Sequence, residues 1–415
     1  MSRKKKRRST RARWILGISC MLVSAMAFAA VIFFSQAGLE EKPVEKDNNT
    51  KAKNEESQEE TKENQKEIQS VLEKMTLEEK VAQMFVITPD ALTGVEGTYR
   101  VGDVTKAAYE ERPVGGLIMM GGNLKSPDQI KEWNRAIEEL SKEKTGAVPF
   151  LSVDEEGGTV ARIAGNEAFG IENVGNMEDI GASEDGRNAY DAGKTIGSYL
   201  KELGFNMNYA PVADLWTNQE NTMMKERSFG SEPKLVAEMV EQEIKGLHSE
   251  GIYTVTKHFP GHGDTSGDSH DGTVYSECTE KQLKNRELIP FESAIEAGTE
   301  CVMVGHLSLP NIVDDKIPAS LSEKVVTEML RKDLKFDGLV FTDAMNMKAI
   351  TESYSSEEAA VLAVRAGADV ILMPEDFEEA YEGILNAVNS GDISEKRINE
   401  SVERILEVKL GLKEK

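Results

Sequence analysis

Cysteine is nearly missing from this chain. Three occur in 415 residues, Cys20, Cys278 and Cys301, and the first lies inside an apolar N-terminal run. The other two cannot build a disulfide framework, so a large apolar core has to hold the fold. Positive charge is also short outside one place. The formal charge is −24, and the first 13 residues alone carry eight Lys and Arg. Without them the rest stands at about −32, which repels phosphate backbones and excludes nucleic acid as a partner. Histidine is scarce as well. Three of the five crowd into residues 257–270, KHFPGHGDTSGDSH.

The basic residues 1–13 precede an unbroken apolar run from Trp14 to Phe34. At ~1.5 Å per residue it extends roughly 31 Å, enough to cross a bilayer core. The basic flank predicts a cytoplasmic tail, which puts everything after Phe34 outside the membrane. A secretory signal shares the basic start, but its apolar region usually runs only about 7–15 residues. Cleavage near Ala25–Ala27 and lipid attachment at Cys20 are the alternatives. The expectation is a single-pass membrane protein with an extracytoplasmic body, or a secreted one if the segment is cleaved. Residues 35–68 contain almost nothing apolar to bury and read as a charged tether between membrane and body.

From residue 69 to 415 short apolar, β-branched runs alternate with helical patterns. The runs are VAQMFVI (81–87), VGGLIMM (114–120), VPFLSVD (148–154), NMNYAPVADL (206–215), IYTVTKHF (252–259), ECVMVGHLSL (300–309), DGLVFTDAM (337–345) and ADVILMP (368–374). Amphipathic stretches separate most of them, and a last helix, ISEKRINESVERILEVKLGL, closes the chain. Eight buried strands, each followed by a helix, predict a (β/α)8 TIM-type barrel as a single catalytic domain. An open doubly wound sheet is the competing arrangement. Nothing calls for a second chain, and a monomer is expected.

Functional groups of such a barrel stand at the C-terminal ends of its strands. Polar residues collect there: DEEGGTVAR after strand 3, KERSFG in the loop after strand 4, the histidine stretch after strand 5, His306 after strand 6 and Asp343 after strand 7. Each has a plain alternative. Asp343 could cap a helix, Lys257 could pair with a carboxylate, and Gly157 and Gly158 could merely turn the chain. A metal-dependent hydrolase using His258, His262 and His270 is one functional reading, but strand 1 ends FVITPD, without the H-x-H pair such barrels carry. A phosphate-handling enzyme would need glycine-rich loops after strands 7 and 8; these read DAMNMK and PEDFEE. Glycoside hydrolysis needs a carboxylate to attack the anomeric carbon, which Asp343 supplies, and a proton donor. His270 can give and take a proton near neutrality, and Asp268 two residues before it would fix its tautomer and raise its pKa. A sugar-binding barrel without catalysis also fits these residues.

The long motif K-H-F-P-G-H-G-D-T…D-S-H, with D-x-E-G-G (154–158), R-S-F-G (227–230) and T-D-A-M (342–345) in order, resembles the β-N-acetylglucosaminidase branch of glycoside hydrolase family 3. The likeness spans roughly residues 70 to 412. It implies the eight-stranded barrel, Asp343 as nucleophile, and His270 as acid/base in a dyad with Asp268. Asp154, Arg162, Arg227, Lys257 and His258 match positions that bind the sugar's hydroxyls and N-acetyl group, while His262 and Asp264 are expected to shape the loop. No cofactor is implied, and the expected partner is a carbohydrate, N-acetylglucosaminides or cell-wall muropeptides. Three departures stand near the site: Glu155 where Gln is common, Thr159 where Arg is frequent, and NTMMKE leading into R-S-F-G. These are expected to affect preference for the leaving group.

Overall fold

The computed structural model describes residues 64–265, 267, 269, 272–313 and 316–411. The expected basic tail, the membrane segment 14–34, the tether through residue 63, and both Asp268 and His270 lie outside the described residues. Among the described residues no helix is long and apolar enough to cross a membrane.

Eight parallel strands form the sheet: β1 Phe85–Ile87, β2 Gly116–Ile118, β3 Phe150–Val153, β4 Met207–Asn208, β5 Tyr253–Phe259, β6 Cys301–Val304, β7 Leu339–Thr342 and β8 Ile371–Leu372. Each falls inside one of the eight apolar runs. Their spatial order is β8-β1-β2-β3-β4-β5-β6-β7. A parallel bridge between Phe341 and Val370, with Thr342 N–H donating to Val370 O at 3.0 Å, joins the two ends. The sheet therefore closes into the barrel, and the open doubly wound alternative falls. Every strand residue is buried, which is why the runs are continuously apolar rather than alternating.

The strands are shorter than the runs that announce them. β4 keeps two ladder residues because Pro211 has no N–H to donate; pairing with β5 resumes only as a bridge between Val212 and Lys257. At β2 the neighbouring strand comes very close. A Cβ on Gly116 would stand 2.5 Å from the Phe150 side chain, so no larger residue fits.

The outer helices are α1 Asp103–Glu111, α2 Pro127–Thr145, α3 Gly186–Glu202, α4 Pro233–Ser249, α5 Ile289–Glu296, α6 Lys324–Asp333 (wound as a π-helix), α7 Ser356–Ala366 and α8 Phe377–Ser390. Several start at side-chain caps: Ser126 Oγ accepts from Gln129 N–H at 3.2 Å before α2, and Ser355 and Glu358 cap reciprocally at α7. Residues 64–68, expected in the tether, are helical instead. Ile68 and Leu72 stand one turn apart and both enter the core, so the folded body starts before residue 69.

Candidate active site

The C-terminal ends of the strands enclose a cavity of about 300 Å³. Asp154, Arg162, Arg227, Lys257, His258 and Asp343 all line it. These are all of the expected site residues that the structure describes.

Asp154 follows β3, and the chain then folds into a hairpin of Glu155–Gly157 against Val160–Ala161. The hairpin sends alternate side chains to opposite sides. Glu156 enters the cavity and is 1 % exposed. It accepts from Arg227 Nε and a terminal guanidinium nitrogen, both at 2.7 Å, and stands 2.7 Å from Lys257 Nζ. The same ammonium donates to Asp154 at 2.7 Å. Two carboxylates and two cations thus form one buried network. Burial pushes the Glu156 carboxyl up, but Arg227 and Lys257 outweigh it and hold it well below the usual range. For Lys257, burial lowers the ammonium's pKa while Asp154 and Glu156 raise it, and the net direction is up. Both groups stay charged. Glu156 was not among the expected site residues, although it is the E of D-x-E-G-G.

Glu155 turns the other way. Its carboxylate accepts from the backbone N–H groups of Ile163 and Ala164 at 2.7 and 2.8 Å and from the Tyr199 hydroxyl at 2.8 Å. Its work is to brace the hairpin's return, and it does not line the cavity. Thr159 is exposed at the hairpin turn and does not line it either. Of the three departures from the family pattern, only the stretch before R-S-F-G reaches the site, through Met223 and Met224. The expectation that all three bear on the leaving group is corrected accordingly.

β5 itself carries Lys257 and His258 near its C-terminal end. The His258 ring is oriented by Asp214, another residue that motif reading missed. Asp214 Oδ2 lies 2.6 Å from His258 Nδ1, and Oδ1 accepts from His262 N–H at 2.6 Å. Burial raises the Asp214 carboxyl's pKa, and His258 and His262 bring it back below its ordinary value. An ionised Asp214 places the proton on Nδ1 and leaves Nε2 toward the cavity, 3.5 Å from the Arg227 guanidinium.

His262 also borders the cavity, but its ring nitrogens face hydroxyls: Ser269 Oγ at 3.0 Å and Thr265 Oγ1 at 3.1 Å. Burial, assisted by His258, pushes its pKa down to about 4, so the ring is neutral. Asp264 bonds Ser276 at 3.1 Å and Arg286 at 3.1 Å, away from the cavity. Both residues shape the loop. A Cβ on Gly263 would stand 1.8 Å from Leu215 O, so this loop packs backbone to backbone against the segment after β4.

Of the histidines in the metal reading, His262 spends both ring nitrogens on Ser269 and Thr265, while His258 spends Nδ1 on Asp214 and keeps Nε2 toward the cavity. Among the described residues the metal-type side chains that do converge are Asp264, Cys278 and Glu287. Arg286 already supplies the cation there, 3.1 Å from Asp264 and 3.3 Å from Cys278.

Asp343 follows β7 and is partly exposed in the cavity. Its N–H donates to Val304 O at 2.9 Å, and its carboxylate accepts from Ala344 N–H at 2.8 Å. The helix beyond starts at Lys348 with Met347 at its cap position, so Asp343 is not spent as a cap. Burial raises its pKa, but His258, His306, the Ala344 N–H and Lys257 together hold it below its ordinary value. His306, expected on the rim, is fully buried beneath it, 3.0 Å from Ala344 O and 2.8 Å from Ser320 Oγ.

A closed parallel barrel with an ionised carboxylate, paired charges and a histidine-rich loop around one small cavity is the architecture of a glycoside hydrolase. The model for the glycosyl hydrolase family 3 N-terminal domain matches residues 76–408, and the chain belongs to that family. A structure described as a family 3 β-N-acetylglucosaminidase from Paenibacillus sp. superposes with a TM-score of 0.76 at 37 % identity, covering 82 % of this chain and 63 % of that one. "Beta-hexosaminidase A" of Pseudoalteromonas piscicida is 29 % identical over 72 % of this chain and 54 % of its own length. "Beta-hexosaminidase" of Stenotrophomonas maltophilia is 30 % identical over 71 % of this chain and 86 % of its own. The matched region thus spans little more than half of the Pseudoalteromonas protein.

Proposed function

We propose that this protein is a retaining, exo-acting β-N-acetylhexosaminidase that releases terminal β-linked N-acetylglucosamine. The observation that carries the reading is Asp343: a carboxylate held ionised at a cavity that already presents Asp154, Lys257, Arg227 and Arg162. A nucleophile must be deprotonated to attack, and His258, His306, the Ala344 N–H and Lys257 supply that condition. Asp154 and Lys257 suit paired ring hydroxyls. The Nε of Arg162 is buried with no partner among the described residues, a donor for a neutral acceptor such as the N-acetyl carbonyl.

In the first step Asp343 attacks the anomeric carbon while His270, oriented by Asp268, protonates the departing oxygen. A covalent glycosyl-enzyme forms. In the second step His270, now basic, takes a proton from water, which attacks the anomeric carbon and frees Asp343. The motif likeness and the hexosaminidase names of the relatives support these roles. The tether and apolar run suggest an enzyme anchored outside the cytoplasm, where cell-wall muropeptides are the substrates at hand.

The test uses purified protein with aryl N-acetyl-β-glucosaminide, its glucoside counterpart and a natural disaccharide, in chelator. Preference for the acetylated sugar is expected, with Asp343→Ala losing nearly all turnover. His270→Ala should fall about 10²–10⁴-fold on the disaccharide and far less on the aryl substrate, whose leaving group barely needs a proton. Full activity in Asp343→Ala, or loss of wild-type activity in chelator, would sink the reading.

A further inference from the structure

The cavity wall is chemically lopsided, and the asymmetry follows strand order. Its charged residues come from β3, β5, β7 and the loop after β4. The opposite arc, β8 through β1 to β2, contributes Ile118, Met120, Leu372 and Met373 and no polar side chain. Ile118 and Leu372 are buried in the floor, 1 % and 2 % exposed. Met120 and Met373 are partly exposed and stand at the mouth.

Both thioethers are carried on pinned backbone. Met120 N–H donates to Asn123 Oδ1 at 3.1 Å, and the same Asn123 donates to Asp90 and to Thr98 O, tying the loops after β1 and β2 together. Met373 N–H donates to Val86 O at 2.9 Å, at the end of β1. The backbone is fixed while the side chains stay adaptable, which suits contact with a partner of variable shape.

A pyranose bound for attack by Asp343 has to turn its hydroxyls toward the charged arc, because only that side offers paired donors and acceptors. The substituent leaving from its anomeric carbon then projects toward the mouth. We propose, resting on the glycosidase reading above, that Met120 and Met373 form the wall against which the leaving group lies, and that this wall adds more to leaving groups presenting an apolar face, aryl or alkyl, than to the second sugar of a disaccharide, which the site still admits. A sugar hydroxyl laid on thioethers gives up water for no hydrogen bond, whereas an aryl face gives up nothing polar.

The experiment measures kcat/KM for 4-nitrophenyl N-acetyl-β-glucosaminide and for N,N′-diacetylchitobiose in the wild type, Met120→Gln and Met373→Gln, with the Met→Leu variants alongside. Because the readout is the ratio of two substrates on the same protein, partial misfolding cancels. The aryl-to-disaccharide ratio should fall about 5- to 20-fold in the Gln variants and stay near the wild-type value in the Leu variants. An unchanged ratio in both Gln variants overturns the proposal. So does a parallel fall on both substrates with weaker competition by free N-acetylglucosamine, since the thioethers would then touch the sugar itself. Wild-type protein that turns over neither substrate overturns the glycosidase reading, and the wall with it.

Discussion

Glu156 bonds two cations with one carboxylate, and its removal tests whether that network aims Lys257 and Arg227. Glu156→Gln keeps the shape and removes the charge, leaving Arg227 without its carboxylate and Lys257 with Asp154 alone. The expected cost is about 3–5 kcal/mol of stability together with a raised KM, read by urea unfolding and steady-state kinetics. A loss of kcat with unchanged KM and stability would contradict this. Asp343 yields a pH prediction. Its folded pKa is depressed below the ordinary ~3.9, so on the proposed mechanism the acid limb of kcat/KM that it causes lies below about pH 4. An Asp343-dependent limb near pH 6 would refute the assignment. The residues that speak through motifs, Asp154, Arg227, Lys257, His258 and Asp343, were readable in the chain and do meet at one cavity. Asp214 was not. It lies in a mostly apolar run, and its value comes only from Oδ1 and Oδ2 reaching a loop more than forty residues away.

Among the helices, α4 holds the least expected group. Glu243 is buried among its apolar residues, and neither carboxylate oxygen has a hydrogen-bond partner among the described residues. Burial, with Glu156 nearby, pushes its pKa up to about 8, so the folded protein carries it protonated at neutral pH. A raised carboxyl pKa favours the folded state below the unfolded value near 4.5 and loses that contribution as pH rises toward 8. Glu243→Gln removes the titration. Its stability relative to wild type should therefore improve steadily between pH 5 and pH 8.5, followed as thermal midpoints in matched buffers. A difference that stays flat with pH would show that Glu243 does not titrate there. Two helices escaped the sequence pattern for physical reasons. α1 buries only Thr105 and Tyr109, too few for an apolar stripe. The segment ending in α5 contains Pro290, which reads as a breaker but sits in the first turn, where its missing N–H costs nothing.

The barrel separates chemistry from closure by putting them at opposite ends. The eight strands were legible because a strand buried on both faces has to be continuously apolar. How the far end is sealed was not, since it depends on contacts between the last helix and the starts of the strands. There Glu395–Gly411 packs across the strand N-termini, and Asp369, just ahead of β8, gathers Arg331, Arg397, Ser401 and Arg404. Lys409 goes further in. Fully buried, it donates to Gln83 Oε1 at 2.7 Å and lies 5.0 Å from the centre of the Phe150 ring. Burial pushes its pKa down to about 7. In the unfolded chain the amine stays protonated up to about pH 10.4. Folding therefore carries a penalty that is absent at high pH, grows as pH falls from about 10.4 toward 7, and is constant below that. Lys409→Met fills the same space without the charge. Its stability gain over wild type should be largest at pH 7 and below and shrink toward pH 10, while kcat/KM at the far rim stays at the wild-type value. Urea midpoints at pH 6, 8 and 9.5 decide it. A gain independent of pH would mean the amine is not titrating in the fold, and a loss at every pH would mean that the Gln83 bond and the Phe150 ring outweigh the burial of the charge.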